Sequence, residues 1–193
     1  STFVMNTSPP LVTPLLGTPT SGTLTNCTGY PIITLGTEQA STSGTSIDFT
    51  GIPAGTKRIT LMFKGVSWTV TADTQLRIRL GDAGGFETTG YLGTVVHTQD
   101  SSGTVSQTLN VMTVGFDWPS TASGAVGDVM DGKIVFELED ASDFTWFASG
   151  STWTPSLQVS NTLMFQTSLT GTKSLSAELT QIRVTTFGSR TFD

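Results

Sequence analysis

The chain is short of charge, of histidine and cysteine, of helix formers and of long apolar runs, and each shortage closes off a class of function. Charged residues make up 12% of the 193 positions, about half the share near 25% of an average globular protein. Nine Lys and Arg face 15 Asp and Glu, for a formal net charge of −6, and the basic residues are dispersed along the chain. Phosphate recognition needs clustered cations, so neither nucleic acid nor an anionic membrane surface is an expected partner. Cys27 is the sole cysteine, which excludes an internal disulfide. With one His and one Cys the usual zinc-ligand sets cannot be assembled, and no cofactor or metal is expected. No apolar stretch approaches the ~18 residues of a membrane helix. Ser1 to Thr20 lacks the basic start of a secretory signal and is interrupted by Pro9, Pro10, Pro14 and Pro19.

What remains is hydroxyl, glycine and aromatic. The chain holds 37 Thr, 21 Ser and 21 Gly, with 36% hydrophobic residues that include 11 Phe and 4 Trp. That is too apolar, and too weakly charged, for a disordered chain. Ala, Glu, Lys and Leu are too sparse for a helical bundle, so the composition predicts a β protein.

Residues 1–44 differ from the rest. They carry five of the eight prolines and a single charge, Glu38, and proline favours extended backbone without amide donors. Phe3, Val4, Met5, Leu11, Val12, Leu15 and Leu16 make this arm apolar, as do Ile32 and Ile33. Its expected role is docking, against the body, a sister chain or another protein. From Thr45 onward, alternating segments are separated by Gly-rich turns. In Lys57 to Val66, Ile59, Leu61 and Phe63 oppose Arg58, Thr60, Met62 and Lys64. In Gln75 to Leu80, Leu76, Ile78 and Leu80 oppose Arg77 and Arg79, and Ile134, Phe136 and Leu138 alternate in Lys133 to Glu139. Further candidates are Ser46 to Phe49, Thr88 to Thr98, Val105 to Val114, Phe144 to Ala148, Gln158 to Leu169 and Leu179 to Thr186. One helical turn is allowed at Thr170 to Leu179. The expected fold is an all-β antiparallel two-sheet sandwich, jelly-roll-like, over residues 45–193.

Candidates for chemistry are few. His97, in Val95-Val96-His97-Thr98, is the only histidine base, and an ordinary strand residue facing solvent or a neighbour is the plainer reading. Glu137, Glu139, Asp140 and Asp143 crowd the end of one strand, with Asp128 and Asp131 before it. Glycoside hydrolysis needs only two such acids, but a solvated edge that discourages strand addition explains them as well. Asp128 to Gly132 lacks the acidic spacing of a calcium loop. Gly81-Asp82-Ala83-Gly84-Gly85 follows a strand without a helix after it and reads as a tight turn held by Asp82. Trp68, Trp118 and Trp153 lie in or beside turn-rich segments and are candidate ligand-binding or host-binding residues, since loop tryptophans stack on sugars or fill a partner's pocket. Core or subunit-interface packing is the competing reading, and it is preferred for Trp146.

Two segments carry a resemblance. Gly17-Thr18-Pro19-Thr20-Ser21-Gly22-Thr23-Leu24-Thr25-Asn26-Cys27-Thr28-Gly29-Tyr30-Pro31 resembles a segment recurring in phage tail-fibre-like proteins. The second segment runs from Ile47-Asp48-Phe49-Thr50-Gly51-Ile52-Pro53 through Lys57-Arg58-Ile59-Thr60 to Leu80-Gly81-Asp82-Ala83-Gly84-Gly85-Phe86-Glu87-Thr88-Thr89-Gly90-Tyr91. With Leu179 to Thr185, it is similar to a β-rich domain of phage fibre and structural proteins. The resemblance implies a bacteriophage virion surface protein of the tail-fibre or head-fibre type, non-enzymatic and forming a homotrimer. It also implies partnership with other virion proteins, either capsid or tail components. Three roles stay open: a fibre or knob that touches a host-surface glycan, a capsid decoration protein with no ligand, and, furthest behind, a polysaccharide depolymerase.

Overall fold

The structure, a computed structural model, describes residues 33–69, 74–101, 104–120, 129–158, 161–186 and 190–193. The residues expected to dock, Phe3, Val4, Met5, Leu11, Val12, Leu15 and Leu16, lie outside them. The chain divides into two compact units, Ser1–Glu38 and Gln39–Asp193. In the first, the described residues from Ile33 to Glu38 form no helix or strand, and Ile33 and Leu35 are 94% and 90% exposed.

The second unit is all-β among the described residues. Eleven strands follow one another: β1 (Ser46–Thr50), β2 (Arg58–Val66), β3 (Thr74–Asp82), β4 (Gly85–Phe86), β5 (Tyr91–Ser101), β6 (Thr104–Met112), β7 (Phe116–Ser120), β8 (Met130–Asp140), β9 (Thr145–Gln158), β10 (Asn161–Ser174) and β11 (Gln181–Thr186). One sheet runs β1-β11-β3-β4, with β7 also on β3, and the other runs β2-β8-β9-β10-β5-β6. All pairings are antiparallel. Leaving out the two-residue β4 and the β9–β10 hairpin, eight strands remain. Counted afresh, they run first-eighth-third-sixth in one sheet and second-seventh-fourth-fifth in the other. That is the strand order of a jelly roll, so the expected two-sheet sandwich is the observed one. The β9–β10 hairpin is spliced between β8 and β5 and widens one sheet to six strands.

Alternation builds the core. Leu76, Ile78 and Leu80 of β3, Ile134 and Phe136 of β8, and Ile182 and Val184 of β11 are all buried, as their period of two predicts. The outer faces of the two sheets differ. The five-stranded sheet carries bidentate ion pairs, Arg77 with Asp117 (2.6 and 2.9 Å) and Arg183 with Asp48 (2.7 Å for both contacts). Arg183 also lies 4.2 Å over the Phe86 ring. The outer face of the six-stranded sheet mixes exposed hydroxyls, on Thr60, Thr94, Ser151, Ser168 and Thr170, with Lys133, the Arg58–Glu137 pair and the exposed apolar side chains Met62, Leu92 and Val111. Strand alternation and register place them on one face.

Several expectations are corrected. Thr170 to Leu179 holds no helical turn: Thr170–Ser174 completes β10, whose amides are bonded to β9 and β5. Phe116–Ser120, which the sequence presents as part of a turn-rich segment, is strand β7 paired with β3, an edge position where Pro119 is tolerated without an amide to donate. Phe144 to Ala148 extends into the 14-residue β9, which runs through Gly150 and Pro155 to Gln158. The Gly81 to Gly85 turn forms as expected, with the Gly84 amide donating to Asp82 Oδ1 at 2.7 Å.

At the centre of the six-stranded sheet, the inner face carries almost no side chain. Gly93 of β5, Gly171 of β10 and Ala148 of β9 lie side by side in register, and Phe116 from the facing sheet fills the space. Its ring stands edge-on to Tyr91 at 5.0 Å and lies 5.8 Å from Phe136. A Cβ added at Gly93 would meet the Thr170 carbonyl oxygen at 2.5 Å and Gly171 Cα at 2.7 Å, both backbone. Gly93→Ala is therefore expected to destabilise the fold by about 1–3 kcal/mol, while Gly36→Ala, which meets nothing within 4 Å, stays within about 0.5 kcal/mol. Urea unfolding of both variants checks this; equal midpoints would remove the packing argument.

Candidate functional site

The unbroken course of β9 decides where its tryptophans go. Trp146, Ala148 and Thr152 point into the sandwich and are buried. Trp153, an odd number of residues from Trp146, must therefore point outward. It is 44% exposed and stands in a groove of about 320 Å³ lined by Asp131, Gly132, Ser151, Thr152, Trp153 and Gln166. Its register partners are Asp131 on β8 and Gln166 on β10. At about 4.8 Å between strands, a carboxylate, an indole and an amide thus stand in one row roughly 10 Å long.

A bulge fixes one end of this row. The register of β2 against β8 shifts between Phe63 and Val66. The chain turns there at Gly65, whose φ of 62° is left-handed, a conformation that glycine adopts without a Cβ clash. The freed Gly65 amide donates to Asp131 Oδ1 at 2.8 Å. Bulges often re-aim side chains beside functional sites; here the bulge holds one carboxylate oxygen of Asp131.

On the inner side of the same strands, Thr152, Thr167 and His97 form a buried polar row in register, 4%, 5% and 2% exposed. His97 Nδ1 lies 3.0 Å from Thr167 Oγ1. The histidine thus faces a neighbour inside the sandwich, and burial pushes its pKa below the ordinary 6.5.

The acids at the end of β8 serve local structure. Asp140 Oδ1 accepts from the Ser142 amide and hydroxyl at 2.8 and 2.7 Å, and Asp143 Oδ1 accepts from the Thr145 amide and hydroxyl at 3.1 and 2.6 Å. Both close the β8–β9 turn. The Ser142 bonds hold the Asp140 carboxyl below the usual carboxylate range, the opposite of what a general acid needs. Glu137 lies 3.7 Å from Arg58 across the strand pair, and Glu139 is exposed. Asp128 lies outside the described residues, and among those described no cluster of His, Cys, Asp and Glu could hold a metal ion.

Two of the three tryptophans proposed for ligand contact are buried. Trp118 is 3% exposed, packed edge-on against Phe63 at 6.0 Å, because on β7 it shares the inward face with Phe116. Trp68 is 6% exposed and bridges Phe192 near the last residue of the chain. Neither offers a ring face to a ligand, which leaves Trp153. Gln166 and Ser151 carried no signal in the sequence, since only the strand register brings them beside Trp153. No protein-family model, no curated protein and no solved structure matches this chain.

The buried histidine generates a pH dependence. Its folded-state pKa lies below the unfolded value, so its contribution to stability is complete above pH 6.5 and is lost as pH falls through the folded pKa. The stability difference between wild type and His97→Gln is expected to shrink as pH falls below 6.5. Urea titrations at several pH values measure it, and a constant difference would contradict the assignment.

Proposed function

We propose that this chain is a non-enzymatic bacteriophage virion structural protein, a surface-displayed fibre or knob anchored through residues 1–44, with its sandwich turned outward. The observation that carries the reading is the outer face of the six-stranded sheet, where Thr60, Thr94, Ser168 and Thr170 are exposed. These hydroxyls stand among a few charges of both signs (Arg58, Lys133, Glu137) and the exposed apolar Met62, Leu92 and Val111, a mixed face on a jelly roll that suits repeated display and contact with other surfaces. The groups considered for catalysis have structural tasks: His97 packs inside the sandwich against Thr167, and Asp140 and Asp143 close a turn. The resemblance to phage fibre proteins supplies the virion setting and the expectation of a homotrimer.

A second reading, a capsid decoration protein without a ligand, draws on Ile33 and Leu35. Their exposure of 94% and 90% leaves apolar surface at the start of the described chain, suited to burial against a shell protein. Both readings give the arm the same anchoring role.

Deleting residues 1–44 is expected to abolish incorporation into particles while residues 45–193 remain folded. Immunogold labelling of intact particles locates the protein: gold on the tail or its fibres fits the knob, and gold over the head fits the decoration. Particles free of label would contradict both readings, and normal incorporation of the truncated chain would overturn the anchoring role.

A further inference from the structure

We infer that the Trp153 groove is a binding site for a neutral oligosaccharide, with one pyranose ring stacked on the indole. The half-exposed Trp153 offers an aromatic face beside exposed Ser151 and the polar side chains of Asp131 and Gln166. Such an arrangement suits a ligand with one apolar C–H face and a polar rim, which describes a pyranose. The flanking residues match that rim. Asp131 spends Oδ1 on the Gly65 amide, leaving its second oxygen to accept from a sugar hydroxyl. Gln166, on the opposite side in register, both donates and accepts. Sugar hydroxyls also donate and accept, so the pair can serve two hydroxyls on either side of one stacked ring.

The same groove argues for binding without cleavage. Its lining carries one carboxylate, Asp131, whereas glycoside hydrolysis uses two flanking the scissile bond. That carboxylate also disfavours uronic acids, whose charge it would face across a few ångströms. An open groove with a single stacking ring implies weak contact per site, and repeated copies on one particle would multiply it. This inference rests on the reading of the chain as a surface-displayed particle protein for its biological occupant, but binding itself is a property of the isolated chain.

The test titrates the purified full chain with cellohexaose, maltohexaose, mannohexaose and chitohexaose, with hexagalacturonate as the acidic probe. It is read by calorimetry and by acrylamide quenching of tryptophan fluorescence. At least one neutral probe is expected to bind and to shield the exposed tryptophan. Trp153→Ala is expected to weaken that binding at least about tenfold, Trp153→Phe to recover part of it, and Gln166→Ala to weaken it roughly threefold to tenfold. Thermal melts of the variants matching wild type would show that the fold is intact.

No binding of any neutral probe at millimolar concentration would overturn the inference, as would affinity unchanged in Trp153→Ala. Preference for hexagalacturonate would overturn the ligand class, and shortened products after incubation would overturn binding without cleavage. Binding by a chain absent from particles would support the groove assignment and contradict the proposed display.

Discussion

The spacing between the two sheets depends on a strip where one of them has no side chains to offer. Gly93, Gly171 and Ala148 stand in register across β5, β10 and β9. The backbones lie so close that a Cβ at Gly171 would meet the Leu92 carbonyl oxygen at 2.8 Å and the Phe116 ring at 3.1 Å. Phe116 occupies that space from the opposite sheet, with Tyr91 and Phe136 around it. A chain so rich in small residues builds its core this way: it thins one wall and fills the gap with a large ring from the other. Close packing at native density leaves no slack for that arrangement to shift.

A polar node locks one end of the same layer. The Leu80 amide donates to the Tyr91 hydroxyl at 2.9 Å, and that hydroxyl donates to the Glu87 carbonyl at 3.1 Å. Burial pushes the Tyr91 phenol well above its ordinary pKa, so it remains a donor. Lys173, 4% exposed, pairs with Glu87 and lies 5.5 Å from the Tyr91 ring centre. The Ser176 amide donates to the other Glu87 carboxylate oxygen at 2.7 Å. Ser176 also donates to buried Asp82, holding that carboxyl below its usual range. Strand β3, the loop before β5, the end of β10 and the loop before β11 thus converge on one set of bonds. Removing one partner of such a pair leaves a charge without compensation, so the bonds at this corner depend on one another.

Much of the sandwich could be read from the sequence because its strands alternate. Arg58 to Lys64, Leu76 to Leu80 and Ile182 to Val184 announce inner and outer faces residue by residue, and the structure keeps those faces. Two of the failures share a cause. Gly150, Pro155 and Pro119 sit within strands although glycine and proline interrupt strand patterns, so alternation shows β9 only as far as Ala148 and Phe116 to Pro119 only as a turn-rich segment. Gly150 is instead a close approach: a Cβ there would meet the Lys133 carbonyl oxygen at 2.6 Å. Once Phe116–Ser120 is a strand, Phe116 and Trp118 share a face, and the burial of Trp118 follows. The burial of Trp68 was not legible at all, since it depends on pairing with Phe192, more than a hundred residues away.

The groove shows what alternation can and cannot supply. If Trp146 is core and β9 is continuous, Trp153 must lie on the opposite face, because it is seven steps along the strand and side-chain direction reverses at each step. That much follows from two residues and one strand. Its neighbours do not, for a shift of one residue in β8 or β10 would replace Asp131 and Gln166 with inward-facing residues. Register is set elsewhere: by the inner row that must keep Gly93 opposite Gly171, and by the bulge at Gly65 that ties β2 to Asp131. The core constraint and the surface site are therefore two faces of one pairing. The glycine strip that lets the sheets close also sets the β9–β10 register that stands Gln166 beside the exposed tryptophan, while the Gly65 bulge holds Asp131 on its other side.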